Sequence, residues 1–180
     1  MASAFSHAIA SVAIGKISFI KDTDKKFWLL AIFCAIIPDA DAIGFKLGIA
    51  YQSVWGHRGI THSLFFAVLL SLLVVHFFYG QEKSFSRRWN TLFLFFFVVT
   101  ASHSVLDAMT NGGLGVAFFA PLNNTRYFLP FRPIQVSPIS ITKFFTDRGW
   151  CVLQSEFVWI WIPSFIIIAI SYLVKKLYSR

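Results

Sequence analysis

The sequence predicts an all-α integral membrane protein: a helical bundle of about five transmembrane helices, forming one domain over residues 1–180. Two observations carry this reading. Hydrophobic residues make up 57% of the chain and charged residues only 13%, whereas a water-soluble domain carries about 25% charge. So few charges cannot cover a water-facing surface. The apolar residues also gather into five runs, at 4–20, 27–43, 62–79, 91–110 and 157–174. Each is near the length of about 20 residues that crosses a hydrocarbon core.

The runs differ in strength. The first contains Ser and His and is the weakest. It lacks a basic leader, and no small-residue cleavage signal follows, so it reads as a retained helix and not a signal peptide. The third, from Ser63 to Tyr79, and the fifth, from Phe157 to Val174, are the most apolar. Lys21 to Lys26 is a short polar turn, Gly44 to Ile60 a longer one with several glycines, and Gly80 to Asn90 holds Lys83, Arg87 and Arg88. The connection 111–156 has 46 residues, with Pro121, Pro130, Pro133 and Pro138 and no spanning run. A loop of that length is usually functional or lid-like.

The net charge is +8, but the basic residues flank the apolar runs. That pattern suits topology signals and lipid-headgroup contacts and argues against nucleic acid as a partner. With the N-terminus outside, the inner side holds nine basic residues: Lys21, Lys25, Lys26, Lys83, Arg87, Arg88, Lys175, Lys176 and Arg180. The outer side holds six: Lys46, Arg58, Arg126, Arg132, Lys143 and Arg148. The positive-inside rule therefore selects N-out, C-in. Cys34 and Cys151 lie in an apolar run and a polar segment, so no disulfide is expected, and thiolate zinc chemistry lacks a CxxC pair.

Alternation of the spans then gathers the rare ionisable residues at one membrane face. His7, Asp39, Asp41, His57, His62, His103 and Asp107 all fall at the outer ends, with Glu156 entering from the same side as a possible late ligand. His76 falls at the opposite end and reads as interfacial. Ionisable groups in spans are costly, and their default reading is functional. Imidazole with carboxylate suits one or two divalent ions, zinc first and manganese or iron next. His103 and Asp107 stand i, i+4 on one helix face and can grip one ion; a buried His–Asp hydrogen bond makes the same pattern. Pro38-Asp39-Ala40-Asp41 sets two carboxylates where a helix ends, as ligands or as a polar cap. Gly56-His57-Arg58-Gly59-Ile60-Thr61-His62-Ser63 is the most distinctive stretch, with His57 in a loop and His62 at a helix start. His7 is a ligand or a packed histidine. Thr61, Ser63, Ser104 and Thr110 are candidates to orient the ligands.

The order of these motifs resembles the YdjM-like inner-membrane proteins, LexA-regulated and described as metal-dependent hydrolases. It covers the first 110 residues well, with HRGITHS its most specific part. More distantly, the order His, Asp, His, His-xxx-Asp is similar to zinc-dependent phospholipase C and the related single-strand nucleases. That resemblance implies a metal-bridging role for Asp107. No histidine follows residue 103, so it implies one or two ions and not three.

The reaction expected from these residues is hydrolysis of a phosphate ester at the outer face. A divalent ion would acidify water into a hydroxide nucleophile. The carboxylate of Asp39 or Asp41 left free by the metal would act as general base, with Arg58 holding a phosphate oxygen. Arg126 and Arg132 are further candidates for substrate binding. A site at headgroup level makes a phospholipid or other lipid-like phosphate the expected substrate. The rival expectations are an ion-binding or transport protein, and a non-catalytic bundle tied together by its polar cluster.

Overall fold

The structure, a computed structural model, describes residues 1–18, 20 and 23–178. Lys21 and Arg180 of the charge argument lie outside the described residues. α1 (Ala4–Ile17), α2 (Lys25–Ile36), α3 (Leu64–Phe78) and α4 (Arg87–Ala108) are followed by a short α5 (Ile141–Phe144), then α6 (Asp147–Glu156) and α7 (Ile162–Tyr178). No strand is formed among the described residues, only two isolated bridges. Three helical stretches, Lys25–Phe45, Arg87–Ala108 and Asp147–Leu177, are long and apolar enough to cross a membrane; Ala4–Ile17 and Leu64–Phe78 are shorter apolar helices. The expected bundle of about five apolar helices is therefore observed.

Each start has a local cause. Ser3, Asp24, Ser63 and Ser86 cap α1 to α4, their side chains accepting the N–H of Ser6, Phe27, Phe66 and Trp89. α2 passes at Ile37 into a 3₁₀ segment, Ile37–Phe45, whose second residue is Pro38. Proline lacks the N–H that would continue the α-helical ladder. A tighter turn of about three residues sends side chains two positions apart in different directions, which separates Asp39 from Asp41.

α2, α3 and α4 meet along one apolar seam. Phe27, Leu30, Ala31 and Cys34 pack against Val74, Val75 and Tyr79 and against Leu92, Phe95, Phe96 and Val99. Phe27 stacks on Phe95 with ring centroids 4.6 Å apart. The outward faces are equally apolar: Leu29, Phe77, Leu94, Phe165, Ile170 and Leu177 are all exposed. A helix apolar all round belongs in lipid. Both cysteines are free, and His76 is exposed.

Two expectations change. The last helix begins at Asp147, ten residues before the apolar run, and runs through a π-helical segment, Phe157–Trp161. Glu156 therefore lies inside a continuous helix and does not open one. The connection before it is correspondingly shorter than 111–156, and it is folded down onto the bundle. Val116 and Tyr127 exchange both backbone hydrogen bonds at 2.9 Å, Asn111 N–H donates to Ile134 O, and Leu129 N–H donates to Ala108 O. Its own Val116, Ala117, Ala120 and Ile134 are buried.

Candidate metal centre

At one end of the bundle α1, the 3₁₀ segment after α2, the 56–63 loop and α4 bring the predicted histidines and aspartates together. Asp39, His62, His103 and Asp107 each offer a donor atom, all within 4.8 Å of one another; Asp39, Asp41, His57 and His62 form a second such set.

The hydrogen bonds assign the lone pairs. His103 Nδ1 lies 2.7 Å from the Ala35 carbonyl. A carbonyl only accepts, so Nδ1 carries the proton and Nε2 presents its lone pair. His62 Nδ1 lies 3.1 Å from Asp41 Oδ2, which leaves its Nε2 lone pair free in the same way. These two Nε2 atoms face each other at 3.0 Å, and Asp39 Oδ1 stands 3.4 Å from both. Two imidazole nitrogens and a carboxylate so close in the interior need a proton or a metal cation among them. Both Asp39 oxygens, both His7 nitrogens and His57 Nε2 are buried without a hydrogen-bond partner. Each such orphan costs about 1–3 kcal/mol. Imidazole nitrogens and an unpaired carboxylate fit a divalent transition ion.

Asp41 is placed differently from Asp39. Oδ1 accepts from His57 Nδ1 at 2.7 Å, and Oδ2 accepts the Arg58 N–H at 3.1 Å and the Thr61 hydroxyl. It holds the rings of two histidines in one tautomer, the usual partner of a metal-binding imidazole. As an unengaged general base it would have to give up these contacts, so Asp39 is the better placed of the two.

Asp107 is fully buried. Oδ1 accepts the Ala2 N–H at 2.7 Å and lies 3.5 Å from His7 Nε2; Oδ2 accepts from Arg58 Nε at 3.1 Å and lies 3.5 Å from His62 Nε2. A bridge between two ions, the role implied by resemblance, competes with these donors. His7 stacks on His103 with ring centroids 3.8 Å apart.

Arg58, expected on a substrate phosphate, is instead fully buried. Nη1 donates to Gly112 O and Nη2 to the Thr110 hydroxyl, each at 2.9 Å. Its φ of +62° is rare for a residue with a β-carbon and turns the side chain inward, toward Asp107. Gly113 leaves room for it: a Cβ there would lie 2.9 Å from Arg58 Nη1. Gly59 is equally constrained, since a Cβ would lie 2.1 Å from Val54 O.

Arg126 is also committed to the chain. It donates to the carbonyls of His57, Tyr51 and Ser53, clamping the histidine loop, and burial lowers its pKa from the ordinary arginine value. Arg132 is exposed and lies over the Phe128 ring at 4.7 Å. Glu156 sits on the start of α1, accepting from the Ser3 N–H, the Ser3 hydroxyl and the Ser6 hydroxyl, so its carboxylate is not among the metal-ligating sets. The Ser104 hydroxyl donates to His62 O at 2.6 Å. The Ala35 carbonyl, the Ala2 N–H and Ser3 with Ser6 escape sequence reasoning, because backbone groups have no residue signature and serines are common.

A family model described as YdjM inner membrane protein matches residues 1–179. The inner membrane protein YbcI of Escherichia coli (strain K12) is 37% identical over 172 residues, covering 93% of this chain and 95% of the relative. No solved structure matches. The family match covers nearly the full length of the chain, and the relative is aligned over 93% of it: the chain belongs to the YdjM inner membrane protein family.

Proposed function

We propose that this protein is a membrane-bound metal-dependent hydrolase that cleaves a phosphate ester of a lipid or lipid-like substrate at the extracytoplasmic face. The observation that carries the reading is the convergence of His62 Nε2, His103 Nε2 and the unpartnered Asp39 carboxylate. His62, His103 and Asp39 would hold the ion, with Asp107 the fourth donor and Arg58 balancing its charge. When bound, a zinc, manganese or iron ion supplies Lewis acidity that acidifies water and stabilises charge on a phosphoryl oxygen.

The remaining work belongs to the chain. The second Asp39 oxygen is the group best placed to accept a proton. Asp41 keeps His57 and His62 oriented, and Arg126 fixes the loop that carries them. An apolar cavity of about 340 Å³ lined by Leu64, Phe65, Phe118, Phe119 and Leu122 opens two residues from His62. It supports a substrate with an acyl chain. Orientation rests on charge: Lys25, Lys26, Lys83, Arg87, Arg88, Lys175 and Lys176 lie at the end opposite the cluster, which supports N-out, C-in.

One observation favours a second reading. Asp107 is already satisfied by Ala2 and Arg58, as in a polar network that only ties helices together or holds an ion without catalysis. Elemental analysis of protein purified without added metal, followed by a screen of phospholipids and generic phosphodiesters, separates the two. Full metal content in both Asp39→Ala and His103→Ala would sink the metal-site reading. Stoichiometric metal with no hydrolysis of any phosphate or ester would leave an ion-binding bundle.

A further inference from the structure

Five of the six orphaned buried side-chain atoms among the described residues belong to the metal cluster; the sixth is the Tyr79 hydroxyl. Tyr79 closes α3 at the opposite end and is only 6% exposed. It lines a cavity of about 140 Å³ together with Asp24, Lys26, Phe27, Gln81, Arg88 and Leu92. Lys26 Nζ sits 4.5 Å above the Tyr79 ring and donates to Phe78 O at 3.0 Å. It therefore brings its charge to the cavity without satisfying the phenol. Arg88 Nε donates to Glu82 at 2.9 Å, and its Nη groups have no protein partner among the described residues. Asp24 is the one acid on the wall among the described residues, and its Oδ1 is occupied by the Phe27 N–H. α2 and α4 both begin here, so the positive ends of two helices add to the field.

A larger groove of about 1010 Å³ shares Ile20, Arg88 and Leu92 with it and is also lined by Arg87, Asn90, Thr91 and Leu94. Two cations, a free phenol and an amide at headgroup depth, with an apolar trough leading along the span, match one kind of molecule. We infer that this end of the bundle binds the phosphate of an anionic phospholipid. Lys26, Tyr79 and Arg88 hold the headgroup, and an acyl chain lies against the exposed Leu94. Basic pockets between spans recognise lipid headgroups by the same chemistry. The site stands apart from the metal cluster and does not depend on what that cluster does.

The test titrates purified protein in non-ionic detergent with short-chain phosphatidylglycerol, followed by native mass spectrometry. Saturable binding is expected, weakened about tenfold in Arg88→Gln and about threefold in Tyr79→Phe, the range of a lost charged and a lost neutral hydrogen bond. Lys83→Gln removes the same charge from the neighbouring loop, outside the cavity, and is expected to leave binding unchanged. Phosphatidylcholine should bind more weakly, and inorganic phosphate should not displace the lipid. Equal losses in Arg88→Gln and Lys83→Gln would show diffuse attraction and overturn the proposal. Displacement by inorganic phosphate would overturn it in favour of a free-anion site. Far-UV circular dichroism and a single symmetric size-exclusion peak in detergent serve as the check that each variant is folded, and Lys26→Gln replaces Arg88→Gln if the latter fails it.

Discussion

At one end of the bundle, buried histidines and aspartates crowd so closely that two imidazole nitrogens face each other at 3.0 Å. At the other, Lys26, Tyr79 and Arg88 surround a small cavity between helix starts. Both ends leave buried polar atoms without partners, yet the surroundings differ. The cluster end is buried and brings two imidazole nitrogens against a carboxylate, an arrangement that fits a cation. The opposite end is half open and carries unspent donors, a demand that an anion meets. In the apolar seam between them, Tyr79 at the end of α3 is the one member with such an orphan among the described residues. Among the described residues, buried unsatisfied side-chain atoms thus lie at the two ends of the bundle, where a ligand can reach them.

The contrast can be broken most sharply at the metal cluster. Asp39→Ala and His103→Ala are expected to lose essentially all bound metal, read by elemental analysis. Chelation should lower the unfolding temperature of the wild type and leave that of Asp39→Ala unmoved, since only the former gains stability from an ion. Arg58→Ala comes next. It strands the Asp107 carboxylate in the interior and should cost about 3–5 kcal/mol, read as denaturant unfolding in detergent; wild-type stability would show that the pair does not hold the fold. Asp41→Asn should keep the fold but weaken metal affinity about 10- to 100-fold, the usual effect of losing a carboxylate that orients a ligating histidine. Competition with a chelating dye measures it. Tyr79→Phe is the smallest change. Because its hydroxyl has no protein partner among the described residues, stability should stay within about 0.5 kcal/mol and metal content should not move. A large loss there would mean that the phenol bonds something within the bundle.

Much of this was legible in the sequence. The apolar runs located the spans, because in lipid a helix needs no polar face. Alternation of those spans alone brought His7, Asp39, His62, His103 and Asp107 to one end. The start of the last helix was not legible, because 147–156 is polar enough to hide from hydropathy: Asp147, Arg148 and Gln154 precede the apolar stretch. Nor was the division of labour between Asp39 and Asp41, which depends on the 3₁₀ geometry that follows Pro38. Arg58 looked available for substrate because a positive φ at a non-glycine residue leaves no trace in composition. The Ala35 carbonyl, which fixes the His103 tautomer, is invisible for the same reason.

The contact between Glu156 and the start of α1 has a consequence for biogenesis. α1 carries His7 and leaves the ribosome first, yet the carboxylate that grips Ser3 and Ser6 belongs to the last helix. Trp161, one turn further on, donates to the Ser6 hydroxyl at 2.8 Å. The segment that carries His7 is thus pinned from both ends of the chain order, by Asp107 of α4 and by the last helix, so its final register waits on the docking of a helix made more than a hundred residues later.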